Sequence, residues 1–219
     1  MAPEILVRGE GEASAVPDRA ALRVTVEGEG SSQETAYAQA AKPAREIDAV
    51  LDRYANAIGK RTATALTVLP KTRWRKGESI RTGYWASRVT VLEVTDLARL
   101  SELIADLAAA GPAAIDGPVW QLAPDNDAHR AARQQAIAEG QARASTYAES
   151  LGLTIKRIAW VAEPGLRFGH DGYAPVARPM AAAPMRGHLA EEPIEVTADE
   201  IRVRAIVEMG FEMAQGEEA

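Results

Sequence analysis

The sequence predicts an α+β fold, with antiparallel sheet and helices packed on one face, in an order close to ββα-ββα-βαββ. Three observations predict it. Apolar residues alternate in Leu22, Val24 and Val26 and again from Ile201 to Met213, the two-residue period of half-buried strands. Between Ala36 and Ile58 they recur every three or four residues, the period of a helix with one apolar face. Paired strand signals are separated by single helix signals, the pattern of helices laid on antiparallel sheet. With 219 residues the chain can bury a real core, and it reads as a single domain, 1–219.

Ile5 to Gly11 reads as a strand in which Gly9 and Gly11 mark a bulge or a close backbone approach. Val16-Pro17-Asp18 is a turn, and Ala21 to Glu27 is the strand expected to pair with the first. Ser31 to Glu34 has the form of a capping box, with Ser31 at the N-cap. The helix behind it carries Ala36, Ala40, Ala44, Ile47, Leu51, Tyr54 and Ile58 on one face. Pro43 is expected to kink that helix and Gly59 to close it. Thr62 to Leu69 reads as a strand and Pro70 to Gly83 as a polar connection. Tyr84 to Val94 reads as a strand with Trp85, Ser87, Val89 and Val91 on one face. Asp96 is placed to cap a short helix through Leu97, Leu100, Ile104 and Leu107, stopped by Gly111-Pro112. Ile115 to Leu122 follows as a strand.

Asp125 to Ser150 is the strongest helix signal, with Ile137, Gly140, Ala144, Tyr147 and Leu151 on one stripe and Gly152 as C-cap. Ile155 to Val161 and Ile201 to Met213 read as strands, and Ile194 to Val196 as a strand edge. Residues 164–193, rich in Gly, Pro, Ala and Met, read as a long flexible loop, and 215–219 as a short polar tail.

Composition excludes several kinds of chemistry. The chain has no cysteine, so it has no disulfide, thiolate metal site or thiol nucleophile. A net charge of −6 argues against a general nucleic-acid binder while leaving room for a local basic patch. The apolar fraction of 47% includes 44 alanines, so the large-side-chain core is smaller than that figure suggests. No apolar run approaches the roughly 18 residues that mark a transmembrane helix. Met1 to Ser14 lacks the basic start and the apolar stretch of about 7–15 residues that a secretory signal needs, so the chain as given reads as cytoplasmic. A chain trimmed of such a signal and given a new Met would read the same way.

No catalytic motif stands out. There is no Gly-x-Ser-x-Gly elbow and no phosphate-cradling Gly-Lys-Ser/Thr loop. Gly28-x-Gly30 follows a strand and precedes a helix, but Gln33 stands where a dinucleotide site needs its third glycine. His129 has no partner at metal-ligand spacing. A metal site could be gathered from His170, Asp171 and His188, although incidental histidines on a solvated loop are the simpler reading. Glu10, Glu12 and Glu27 fall on polar strand faces, where carboxylates are ordinarily just solvated. The expectation is a protein that is not an enzyme, with no cofactor and no metal.

The most distinctive local feature is Lys71, Arg73, Trp74, Arg75 and Lys76, followed by Arg81 and Trp85. Cations interleaved with aromatics can grip phosphates and stack on bases, or hold an anionic membrane surface. They also suit a subunit interface, where Trp and Arg are favoured. Against these stands a solvated hairpin tip whose cations pair with nearby carboxylates, a reading that fits the acidic net charge. Met180 and Met185 sit in the Gly/Pro/Ala stretch, where a flexible loop is preferred to an adaptable contact surface.

The assembled pattern resembles the SIMPL-domain family. Val7-Arg8-Gly9-Glu10-Gly11, Val16-Pro17-Asp18 and Leu22-x-Val24-x-Val26 are similar to that family's opening strands and Pro-Asp turn. Gly83-Tyr84-Trp85-Ala86-Ser87 followed by Val89-Thr90-Val91 is similar to its Gly-Tyr-x-Ala segment and strand. The Ala-rich helix with Ala131, Ala138, Ala142, Arg143 and Ala144, ending at Leu151-Gly152-Leu153, and the strand Ile201-x-Val203-x-Ala205-x-Val207 into Phe211 complete the match. The resemblance implies an α+β fold and a tendency to self-assemble. It also implies a family often exported to the cell envelope and in part linked with oxidative-stress defence. It brings no catalytic residues. The leading expectation is therefore a non-enzymatic homo-oligomer whose strand edges and 70–85 connection make subunit contacts. The alternative is a binding module for an anionic ligand (nucleic acid, lipid head group or acidic protein) through segment 71–85.

Overall fold

A computed structural model describes residues 3–75, 77–167 and 198–215. Among them lie eight strands and three α-helices, in the order β1 (Glu4–Ala15), β2 (Arg19–Gly30), α1 (Gln33–Arg53), β3 (Ile58–Ala63), β4 (Thr67–Arg75), β5 (Glu78–Val94), α2 (Leu100–Ala109), β6 (Ala113–Gln121), α3 (Asp127–Ser150), β7 (Leu153–Ala162) and β8 (Ile201–Gln215). All strand pairs are antiparallel, and the α+β class expected from the sequence holds. No described helix is long and apolar enough to cross a membrane. The elements divide between two compact units, one holding β1, α3, β7 and β8 and the other β2 through β6 with α1 and α2.

The first unit is a three-stranded sheet, order β1-β8-β7, covered by α3. β1 pairs with β8 along its whole length, from Glu4 opposite Glu212 to Ala15 opposite Ile201. Val7, Val207, Met209, Phe211 and Met213 form its buried cluster with Ala136, Ala144 and Ala148. The apolar face read into the last strand is therefore real. The pairing expected between β1 and β2 is not: they belong to different sheets. The local alternation fitted a hairpin, but the partner whose apolar face matches β1 lies at the far end of the chain.

The stripe expected on α3 holds at Gly140 and Ala144, which are buried, and fails at its large residues. Ile137, Tyr147 and Leu151 are exposed, and the buried row is Ala128, Ala132, Ala136, Gly140, Ala144 and Ala148. The cause is distance. A Cβ placed on Gly9 would lie 2.0 Å from the Ala136 carbonyl oxygen, and one on Gly11 2.1 Å from that of Ala132. Helix backbone and strand backbone touch, so only alanine and glycine fit between them.

The second unit is a sheet of order β3-β5-β2-β6, with β4 also paired to β5, and its helices lie on one face. Leu22, Val24, Val26, Leu92 and Val94 meet Ile47, Leu51, Leu100, Leu103 and Leu107 in the core. Full burial of each such side chain contributes about 1.5–3 kcal/mol. The strand-glycine and helix-alanine contact recurs here, with a Cβ on Gly28 falling 2.6 Å from the Ala36 carbonyl oxygen and the Ala40 nitrogen. Asp48 of α1 ties helix to sheet by pairing with Arg61 of β3 and, at 2.7 Å, with Arg88 of β5.

Several local expectations shift in this unit. The N-cap is Ser32, one residue later than expected; its hydroxyl accepts from the Thr35 N–H at 3.1 Å, which leaves Glu34 too early to close a capping box. α1 runs unbroken through Pro43, whose ring is buried, and it ends at Arg53, leaving Gly59 inside β3. The stretch read as one strand, Thr62 to Leu69, splits into β3 and β4. Thr64 causes the split: its N–H bonds the Val89 carbonyl and its hydroxyl accepts from the Val89 N–H, so a side chain replaces one step of the ladder. The expected polar connection Pro70 to Gly83 is instead a β4–β5 hairpin.

Candidate functional site

β5 is the longest strand among the described residues, and its two halves have different neighbours. From Tyr84 to Val94 it lies between β2 on one side and β3 and β4 on the other. β2 ends at Gly30, opposite Tyr84. Before that point β5 has only β4 beside it, so Lys71–Arg75 and Glu78–Gly83 form a two-stranded ribbon running on from the sheet. Gly77, at φ +85°, supplies the left-handed backbone that its turn requires.

The ribbon gathers most of the basic–aromatic residues picked out in the sequence. Register sets Arg73 opposite Ile80, Trp74 opposite Ser79 and Thr72 opposite Arg81. Directly opposed residues share a face and neighbours alternate, so Trp74 and Arg81 lie on one face and Arg73 and Ile80 on the other. Trp74 is 74% exposed, the most open aromatic among the described residues. Lys71 is held at the base of the ribbon by both carboxylate oxygens of Glu29, at 2.6 and 2.7 Å. Arg81 lies 5.4 Å from the ring centroid of Tyr84. Arg73 has no ion pair among the described residues. Arg75 is placed by register opposite Glu78, and Lys76 lies outside the described residues.

Trp85 departs from the group. It sits in the sheet proper, half-buried, on the face away from the helices, opposite Leu69 of β4 and Glu29 of β2. Leu69 beside it is exposed, and Val91 and Val119 are exposed on the same outer face toward the other end of the sheet. The sequence set Trp85, Ser87, Val89 and Val91 on one face of this strand, and that face is the one turned away from the helices. Both faces of β5 carry valine, leucine or aromatic residues, so alternation alone does not say which face meets the helices.

The other candidates are not drawn together. His129 lies in the first turn of α3, and among the described residues no group of three His, Asp or Glu side chains is placed to hold a metal. His170, Asp171, His188, Met180, Met185 and the strand edge at 194–196 fall outside the described residues, as do most of 164–193 and the tail beyond Gln215. Gly28 and Gly30 serve packing, since a Cβ on either would strike α1 backbone. The ribbon offers cations and one large aromatic, which suits contact with another surface.

The sequence matches the family model of SIMPL, a protein of unknown function (DUF541), over residues 5–211. No curated protein matches it.

Proposed function

The chain belongs to the SIMPL family, and from that premise we propose that it is a non-enzymatic, self-assembling protein whose copies meet through the β4–β5 ribbon. One observation carries the reading: a two-stranded ribbon extends past its sheet with Trp74 74% exposed. A two-stranded ribbon with solvent on both faces is marginally stable in water, so it would gain from a partner. Trp and Arg are the side chains that most often dominate such contacts. Strand edges suit the role less. Gln135, Glu139 and Arg143 of α3 bond the outward backbone groups of β1, β4 and β6 carry Pro70 and Pro118, and β7 has two register shifts. With no cysteine, any part in stress defence does not run through thiols of its own.

The test is absolute mass in solution, by light scattering behind size exclusion, at low and high salt. The expected result is a discrete multiple of the 23.4 kDa chain. Trp74→Ala with Arg73→Glu returns it to the single-chain mass with unchanged circular dichroism. A wild-type chain that stays at single-chain mass at every concentration overturns the reading. The unpaired Arg73 favours a second reading, an anionic ligand held by the ribbon. Binding of a nucleic-acid oligomer or anionic vesicles that falls steeply with salt supports it, and no binding at low salt removes it.

A further inference from the structure

The sheet of the second unit has a stepped end. β6 stops at Ala113, opposite Val26, and β2 stops at Gly30, opposite Tyr84. β5 reaches past both, to Glu78, with β4 alone beside it. Two residues join Arg75 to Glu78, so these close the hairpin as a hydrogen-bonded pair. Bonded and non-bonded pairs alternate from there. Ile80 therefore bonds Arg73, while Ser79 and Arg81 turn their N–H and C=O groups to the open side. Glu78 to Thr82 are all exposed, and no described residue is paired with them on that side.

We infer that this edge pairs with the same edge of a second copy, antiparallel about a two-fold axis at Ile80, an inference that rests on the assembly reading above. Outward backbone groups must oppose outward backbone groups. An axis at Ile80 sets Ser79 of each copy against Arg81 of the other, for about four backbone hydrogen bonds. An axis at Arg81 would oppose like charges, and one at Ser79 would set Arg81 against the turn. Trp74, Ser79 and Arg81 share a face, so Trp74 of one copy reaches across the small Ser79 toward Arg81 of the other. Charge agrees. The pairing carries the end of each ribbon, basic through Arg75 and Lys76 in the sequence, toward the end of the other copy's β2, where Glu27 and Glu29 are exposed. Room agrees as well, because β4 of the second copy falls in line with β6, which has already stopped at Ala113. The joint is short, so mass should rise with concentration.

The chain has no cysteine, so single introduced cysteines report the register. Ile80→Cys sets the two thiols directly opposite, with about 4.5 Å between Cα atoms, within disulfide range. In Ser79→Cys the two lie on a diagonal, about 8 Å apart and outside that range. Under mild oxidation Ile80→Cys is expected to give a covalent two-chain band in denaturing electrophoresis, and Ser79→Cys to stay at the single-chain band. Ser79→Pro removes an outward N–H and leaves the β4 ladder whole, so it should stay at single-chain mass in solution with unchanged circular dichroism. Equal cross-linking of the two cysteine variants overturns the inference. So does cross-linking of neither while the wild type assembles, because the copies then meet elsewhere. A folded Ser79→Pro variant that assembles like the wild type overturns it too; if that variant loses its circular dichroism, the cysteine pair decides. A wild type at single-chain mass at every concentration instead removes the assembly reading, and the inference with it.

Discussion

Gly9 and Gly140 sit against each other, yet substituting them has different consequences. A Cβ on Gly9 meets the Ala136 carbonyl oxygen at 2.0 Å, a backbone atom that cannot move without moving α3. A Cβ on Gly140 meets the Met209 Cε at 2.1 Å, the end of a flexible side chain. Gly9→Ala should cost about 3 kcal/mol, and Gly140→Ala clearly less, because alanine also returns about 1 kcal/mol of helix propensity. Urea denaturation followed by circular dichroism separates the two. Gly9 and Gly11 were legible in the sequence as a bulge or a close approach; that it is an approach, and that α3 makes it, was not. Tyr54 is the other residue with a measurable signature. Burial, then its hydrogen bond to Asp106 at 3.0 Å, pushes its phenol up to about 12. The neutral phenol is the form the fold favours. That contribution is whole below pH 10 and is lost as pH rises from 10 through 12. Tyr54→Phe should flatten this alkaline fall in stability, measured as thermal midpoint against pH.

At the scale of elements, α3 shows why periodicity misled. Its inward row is alanine and glycine and its larger apolar side chains face out, so a rule that sends large apolar residues inward chooses the wrong side. The same helix guards a strand. Gln135 and Glu139 accept hydrogen bonds from the Glu12 and Glu10 N–H groups at 3.0 and 3.2 Å, and Arg143 donates to the Arg8 carbonyl at 2.8 Å. Spaced four apart, they run along the β1 edge. Gln135→Ala with Glu139→Ala should cost about 1 kcal/mol for each bond and uncover that edge. Denaturant unfolding measures the first effect, and concentration-dependent light scattering of the folded variant the second. The ribbon is the opposite case. Pro70 to Gly83 read as connection because its polar residues carry no apolar alternation, and a ribbon with solvent on both faces has no need of one.

At the scale of the molecule, charge is unevenly placed. The ribbon is basic in an acidic chain, and its best-exposed large side chain is a tryptophan. An assembly built on such a contact mixes screened and unscreened terms. Added salt should weaken its ion pairs without abolishing the apolar contact, so mass should fall partway at high salt and completely only in the Trp74 variant. The salt series of the mass measurement reads this directly. The cross-strand ion pairs of the other sheet act within one chain. Arg204 beside Glu10, and Lys156 and Arg157 beside Glu212, hold those carboxyls below the usual range.

Most strands and all three helices could be read from the chain, because a two-residue or 3.6-residue period, a capping hydroxyl and a turn glycine are local properties. The SIMPL resemblance was legible for a related reason: its motifs are short and keep their order. Neighbours were not legible. β1 finds β8 across the whole chain, β5 changes partners at Tyr84, and α3 presents its alanines because two glycines let backbone meet backbone. Each of these outcomes depends on which distant surface a segment meets, and period alone is symmetric between the two faces of a strand. The same symmetry hid the candidate site. Lys71, Arg73, Trp74 and Arg81 stood out as a basic–aromatic run, but only the pairing of β4 with β5 past the end of β2 makes them a projecting ribbon, and only the side on which the helices pack leaves Leu69, Trp85, Val91 and Val119 outward.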